Sequence, residues 1–478
     1  MSTFAEQLGR RKPVALAVSS ASDGDGLSRN LGLWHLAAIG IGATIGTGIF
    51  FVMRAAVPEA GPAVIVSFVV AGIVAGLTAL CYAELASVVP ISGSSYSYAY
   101  VTMGELVAMF VAGCLLLEYG VSSAAVAVGW SEYLNQFLGN VIGWQIPDAL
   151  AMSPEEGGMV NLPAIILVAL VTLLLLRGLS ESAWVNSIMV IIKLGVLAFF
   201  IAVGFTGWNI DNFAEFAPFG VNGVTAAAGI IFFSYIGLDA VATAAEEVKD
   251  PQKTLPKALI IALVTVIGFY VLVATAAIGA QHWTQFEGQT AGLAQILQNI
   301  IGATWPGTLL AAGAIISIFS VTLVVMFGQT RILYVISRDG LLPEALSRVN
   351  PRTKVPTRSI IVVGVAVAIL AGLLPIELLA EMTSIGTLTA FLVVAVGVMI
   401  LRRRRPDLKR GFSIPGYPVT PILTVVGCLY LIVQLDALTM IGFAVWSLVV
   451  VLWYLLVGRR TSKLNRYSVE DLREMERA

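Results

Sequence analysis

Gly40-Ile41-Gly42-Ala43-Thr44-Ile45-Gly46-Thr47-Gly48-Ile49-Phe50 interrupts an apolar segment that begins near Leu31. Each glycine in a helix interior costs roughly 1 kcal/mol relative to alanine, and here four fall within nine positions. At membrane depth an irregular backbone persists only where protein buries it or where it lines a cavity. A second interrupted segment, Phe232-Phe233-Ser234-Tyr235-Ile236-Gly237-Leu238-Asp239, follows several apolar segments later. Paired broken helices at corresponding places in two halves of a chain point to a transporter binding site.

Composition agrees. With 478 residues, 58 % hydrophobic and 12 % charged, the chain departs from soluble domains, which carry about 25 % charged residues. Cys81, Cys114 and Cys428 lie in separate apolar segments and read as small buried hydrophobes, neither a disulfide framework nor a metal site. His35 and His282 are far apart and give no metal pattern. Residues 1–30 are polar and lack an apolar h-region, so no cleavable signal peptide is expected.

Roughly 20 apolar residues span a bilayer. By that rule twelve spans fall at about 31–55, 62–89, 104–136, 162–177, 183–206, 222–248, 255–280, 305–334, 358–374, 384–401, 420–435 and 438–458. The expected organisation is a tail over 1–30, a transporter domain over 31–458 and a tail over 459–478. Within the domain, 31–206 and 222–401 are the two repeats and 420–458 holds the last two helices. Lys- and Arg-rich loops stay cytoplasmic. Arg10, Arg11, Lys12 and Arg29, then Lys249, Lys253 and Lys257, then Arg331–Arg358, Arg402–Arg410 and the tail from Arg459 fall on one side of such a chain. The opposite connections, 137–161, 207–221 and 281–304, contain no Lys or Arg, and only Arg54 sits on that side. A multi-pass cell-membrane protein with both termini cytoplasmic is expected. A short amphipathic helix over 284–300 is expected to cover the outer mouth.

The first break has two readings. In the binding reading, the amides of Gly46, Thr47 and Gly48 open a half-helix N-terminus that attracts a carboxylate. In the packing reading, Gly42 and Gly46 form a small-xxx-small contact. A dinucleotide fingerprint fails, because Ile45 stands where G-x-G-x-x-G requires glycine and no strand precedes it. At the second break, carbonyls around Phe233, Ser234 and Ile236 are candidates to accept bonds from an α-ammonium, with Phe233 as an aromatic gate. The bland alternative is an ordinary packed Phe-Phe pair.

Lys193 lies about 15 Å from either end of its span. A lysine at the bilayer centre costs roughly 2.5–3.5 kcal/mol, and intramembrane ionisable groups are functional by default. Proton coupling is the expected role; a permanent ion pair, for instance with Glu118, is the alternative. Glu118 and Asp239 are the further coupling candidates. Glu84 reads as a gate or a packing contact, and Glu246 and Glu247 as interfacial.

Gly42–Phe50, the run from Tyr82-Ala83-Glu84-Leu85 to Pro90-Ile91-Ser92-Gly93-Ser94, and Ser337–Pro343 resemble the amino acid–polyamine–organocation superfamily. Glu118-Tyr119-Gly120, Phe233–Glu247 and Gly328-Gln329-Thr330-Arg331 resemble its cationic amino acid transporter branch, particularly bacterial members. The resemblance runs from about 30 to 458. It implies an all-α membrane protein with a five-plus-five inverted repeat, discontinuous first and sixth helices and two additional helices. Thr44, Ile45, Gly46, Thr47 and Gly48 with Phe233, Ser234 and Ile236 would then surround the substrate backbone. In proton-coupled relatives a lysine at the position of Lys193 takes the place of a sodium ion and meets carbonyls near the first break. Animal members that carry arginine tend to have a small polar residue before the Met-Phe pair of the eighth span, where this chain has Val325 before Met326 and Phe327. A pocket lined by Val325, Phe233 and Ile236 leaves a guanidinium unpaired, which costs several kcal/mol.

The expectation is therefore a proton-coupled symporter of small neutral L-amino acids such as alanine, with no cofactor or metal and no nucleic-acid partner. Membrane lipids surround it, and there is room for a small accessory transmembrane subunit. An arginine or lysine uniporter or exchanger is the rival, and a non-transporting amino acid sensor is the rival from another class. An enzyme is not expected, since no nucleophile–base set appears at membrane depth.

Overall fold

The computed structural model describes residues 10–14, 16, 31–46, 48–89, 94–178, 183–243, 248, 250–408, 410–468, 471–472 and 475. Among them the regular structure is helical, apart from an isolated bridge between Leu31 and Val248. Among the described residues, seven helices are long and apolar enough to cross a membrane. The other expected spans appear as shorter apolar helices.

The first segment is broken. Helix α1 (Leu33–Thr44) ends where Ile45 turns extended, with ψ 114°, and Gly46 adopts φ +116°. That backbone is strained for any residue with a Cβ, which is why glycine stands there. Helix α2 (Met53–Ala60) resumes the segment, and α3 (Val64–Val88) follows through a single 3₁₀ turn. After the short α4 (Ser94–Thr102), α5 (Glu105–Leu116) passes through a π-turn at Leu117–Val121 into α6 (Ser122–Ile142). Helices α7 (Leu162–Leu176) and α8 (Ala183–Gly204) complete the first half.

The second break matches expectation. Helix α9 (Gly220–Ile231) tightens into a 3₁₀ turn at Phe232–Tyr235, Ile236 is extended with ψ 146°, and Gly237 takes φ +97° before α10 (Ala240–Thr243). Then come α11 (Pro251–Ala280), α12 (Gly292–Ile301), α13 (Trp305–Arg338), α14 (Thr357–Leu373), α15 (Ile376–Arg404), α16 (Val419–Ile432) and α17 (Ala437–Trp453). Helix α12 is the short amphipathic helix expected over 284–300, with Leu293, Ala294, Ile296 and Leu297 buried.

Helix α15 starts at Ile376, earlier than the expected 384. Its first turns hold Glu377 and Glu381, to which the sequence reading gave no role. Glu377 pairs with Arg54, and Glu381 accepts from the Thr439 hydroxyl at 2.6 Å and the Asp436 amide at 3.3 Å. Leu438, Ile441, Val445, Leu448 and Leu452 of α17 are exposed, the pattern of an outer wall facing lipid.

Candidate functional site

The two breaks face each other. A Cβ at Gly48 would lie 2.8 Å from the Cα of Ser234, and one at Gly237 would lie 2.7 Å from the carbonyl oxygen of Ala43. Tyr270, buried on α11, places its hydroxyl 3.0 Å from the Thr44 carbonyl and 2.9 Å from the Ser234 carbonyl. A phenol has one proton to give, so it is shared between one carbonyl from each break. Phe51 sets its ring 5.7 Å from that of Phe233.

At the first break the hydrogen-bond ladder is open. Helical pairing resumes when the amides of Phe51 and Val52 donate to the Gly48 carbonyl at 2.9 and 2.8 Å. The amides of Gly46, Gly48, Ile49 and Phe50 have no acceptor among the described residues. Unpaired amides at a helix start favour an anion. Thr47, expected to contribute, lies outside the described residues, as do Glu246 and Glu247. Ile45 is fully buried, and the Thr44 hydroxyl donates back to the Gly40 carbonyl at 2.8 Å.

The glycines divide the binding and packing roles. A Cβ at Gly42 would meet Val190 at 2.8 Å, so this residue packs α1 against α8. Gly46 and Gly48 form the break itself. At the second break the Phe233 carbonyl closes a turn with the Ile236 amide at 3.2 Å, and Ser234 accepts from Tyr270. Of the three expected carbonyls, only that of Ile236 lacks an internal partner among the described residues.

Lys193 is fully buried and donates to the Gly42 carbonyl at 2.7 Å. A hydrogen bond from a charged group contributes about 1.5–3 kcal/mol, comparable to the insertion penalty of a central lysine. Glu118 has no ion-pair partner among the described residues, so the alternative Lys193–Glu118 pair is not formed. Glu118 lies in the π-turn, and such turns often mark functional positions. Its neighbour Tyr119 donates to Asp239 Oδ2 at 2.7 Å, and Ser94 donates to the same oxygen at 3.0 Å.

Val325 is buried on α13 one helical turn beyond Val321. A Cβ at Gly46 would approach Val321 at 2.9 Å and the Ser317 hydroxyl at 3.2 Å, so this face of α13 meets the first break. Glu84 is a packing contact. It receives Arg402 in a two-point grip and the Ile414 amide at 2.8 Å, which fastens the segment after α15 against α3. Beyond the first break, Arg54 pairs with Glu132 at 2.6 Å, Glu156 at 3.0 Å and Glu377 at 2.8 Å.

Sequence reasoning missed Tyr270, Phe51 and Ser317. Tyr119 and Ser94 stood in quoted motifs without a role, and no local signal distinguishes Tyr270 from other tyrosines in apolar helices.

Broken helices around open amides are the arrangement expected of a carrier of small zwitterions, and residues 31–458 match the family described as amino acid permease. The chain belongs to the amino acid permease family. Membership places it in the amino acid–polyamine–organocation superfamily, as a multi-pass membrane transporter. This permease is 41 % identical over 461 residues to branched-chain amino acid permease BcaP of Bacillus subtilis, covering 96 % of this chain and 99 % of that one. It is 38 % identical over 463 residues to the methylthioribose transporter of the same organism, covering 96 % and 99 %. It is also 38 % identical over 408 residues to vacuolar cationic amino acid transporter 4 of Arabidopsis thaliana, covering 84 % of this chain and 68 % of that one.

Proposed function

We propose that this permease is a proton-coupled symporter of small neutral L-amino acids that works by alternating access. The observation that carries the substrate reading is the open amides of Gly46, Gly48, Ile49 and Phe50 at a break that packs against the second one, where the Ile236 carbonyl is unpaired among the described residues. The substrate carboxylate meets these amides, its ammonium meets the carbonyl, and its side chain meets the face of α13 that carries Val321 and Val325. That apolar face suits an aliphatic group. The name of the Bacillus relative, a branched-chain amino acid permease, supports a neutral substrate.

Lys193 carries the coupling proton. Protonated, it bonds to the Gly42 carbonyl and draws α1 against α8; neutral, it loses this charge-assisted bond. Glu118 and Asp239 belong to the same coupling machinery. The chain crosses the membrane twelve times as two inverted five-helix repeats plus two helices, with both termini cytoplasmic. The end bearing Arg10, Lys12 and Arg402 is then the inner one, and the Arg54 cluster lies outside. A cationic substrate is the second reading, favoured by the Arabidopsis relative.

Uptake of labelled alanine, valine and arginine into proteoliposomes, with and without an inward proton gradient, tests this. Gradient-driven accumulation of alanine is expected. Accumulation of arginine alone, or uptake indifferent to the gradient, overturns the respective part.

A further inference from the structure

Resting on the proton-coupled reading above, we propose that Glu118 and Asp239 form a second proton-binding site, separate from Lys193, that loads and unloads one proton in each transport cycle. The π-turn at Leu117–Val121 sets Glu118 and Tyr119 side by side in the chain, and Tyr119 reaches Asp239 at 2.7 Å. Both acids are buried, with exposures of 0 % and 2 %, and neither has an ion-pair partner among the described residues. Two anions so placed repel each other at membrane depth, so the pair holds a proton until the inner side opens to water.

The surroundings treat the two acids differently. Asp239 Oδ2 receives two hydroxyl donors, from Tyr119 and Ser94, so this acid is furnished for the anion. Among the described residues, neither oxygen of Glu118 receives a hydrogen bond. The Thr387 hydroxyl borders Glu118 but spends its proton on the Thr383 carbonyl at 3.0 Å. A buried carboxyl without donor or cation is stable as the neutral acid. The groups that border the pair are Tyr82 of α3, Ser95 and Tyr98 of α4, Cys114 of α5 and Thr387 of α15, and Gln329 of α13 borders the neighbouring Gly120. None is a cation.

The buried hydroxyls of Tyr82, Ser95 and Tyr98 have hydrogen-bonding capacity left open, as a relay requires and a fully bonded structural cluster does not. They lead along α4, whose Tyr96 bonds Asp339 at 2.9 Å beside Lys12 at the basic end of the molecule. In the transfer step the proton passes from the Glu118 carboxyl to the Asp239 carboxylate and leaves Glu118 as the anion; no other bond changes. Neutral Asp239 is a weaker acceptor for Tyr119 and Ser94. Occupancy is thereby reported to the segment directly after the second break.

The test is the proton-to-alanine ratio, measured from reversal potentials in proteoliposomes with clamped membrane voltage. Two protons per alanine are expected for the wild type and one for Glu118→Gln. A wild-type ratio of one, or a ratio of two retained in Glu118→Gln, overturns the proposal while leaving coupling at Lys193 intact. A wild type indifferent to the proton gradient overturns the coupled reading itself. Should Glu118→Gln fail to insert, infrared difference spectra of the wild type decide. A protonated-carboxyl band that changes when alanine is added supports the site, and absence of any such band overturns it.

Discussion

Lys193 donates to the Gly42 carbonyl across 2.7 Å and so ties α8 to the helix that ends at the first break. The contact is fully buried, and the carbonyl belongs to a residue whose missing side chain lets the two helices approach. Its strength depends on the ammonium charge, because a neutral amine donates a weaker hydrogen bond. Lys193→Met is expected to abolish accumulation driven by an inward proton gradient while alanine–alanine exchange continues. Parallel gradient and counterflow assays in proteoliposomes check this. Intact accumulation in the variant removes Lys193 from coupling.

Gly48 packs directly on the second break, with the Cα of Ser234 at 2.8 Å from where a Cβ would stand. Backbone atoms on both sides leave little room to adjust, and overpacking of this kind costs about 1–3 kcal/mol. Gly48→Ala is therefore expected to weaken alanine binding by about tenfold or more, since about 1.4 kcal/mol is a factor of ten. Isothermal titration of the purified variant measures it, and wild-type affinity would show that the breaks are not in register with the substrate.

Much of this architecture was legible in the sequence, and for an identifiable reason. Glycines at 46 and 237 are required by positive φ, so the breaks leave a compositional mark. The π-turn leaves none, because one extra residue in the ladder does not alter the pattern of a helix that is apolar all round. Helix α15 starts early because its two acids are bonded by Arg54, Thr439 and the Asp436 amide, partners that lie far away in the chain. Tyr270 was hidden for the same reason: its acceptor at Thr44 lies 226 positions away.

Arg54 holds Glu132, Glu156 and Glu377, which come from α6, the loop that follows it and α15. Removing the arginine leaves Glu132, whose side chain is 8 % exposed, as an uncompensated charge. Arg54→Ala is expected to loosen this closure. An impermeant thiol reagent applied from outside should then label Ser131→Cys, at the adjoining cavity, several times faster than it does with Arg54 present. The three native cysteines are buried and give a low background. An unchanged labelling rate would mean that the cluster does not close the outer side.

Val325 shares a helical face with Val321, which meets the first break. Val325→Ser supplies a hydroxyl where a guanidinium finds only apolar surface in the wild type. Arginine is expected to compete with labelled alanine in the variant and not in the wild type. Identical competition profiles would place Val325 outside the side-chain pocket.

The central claim is that the main-chain amides of Gly46, Gly48, Ile49 and Phe50, unpaired among the described residues, bind the substrate carboxylate. The most direct measurement compares alanine with alaninamide, which keeps the ammonium and the methyl group but lacks the carboxylate, as competitors for labelled alanine on the purified protein. Alaninamide is expected to bind weaker by about a hundredfold or more, the loss of charge-assisted bonds totalling about 3 kcal/mol. Equal competition by the two compounds would contradict it.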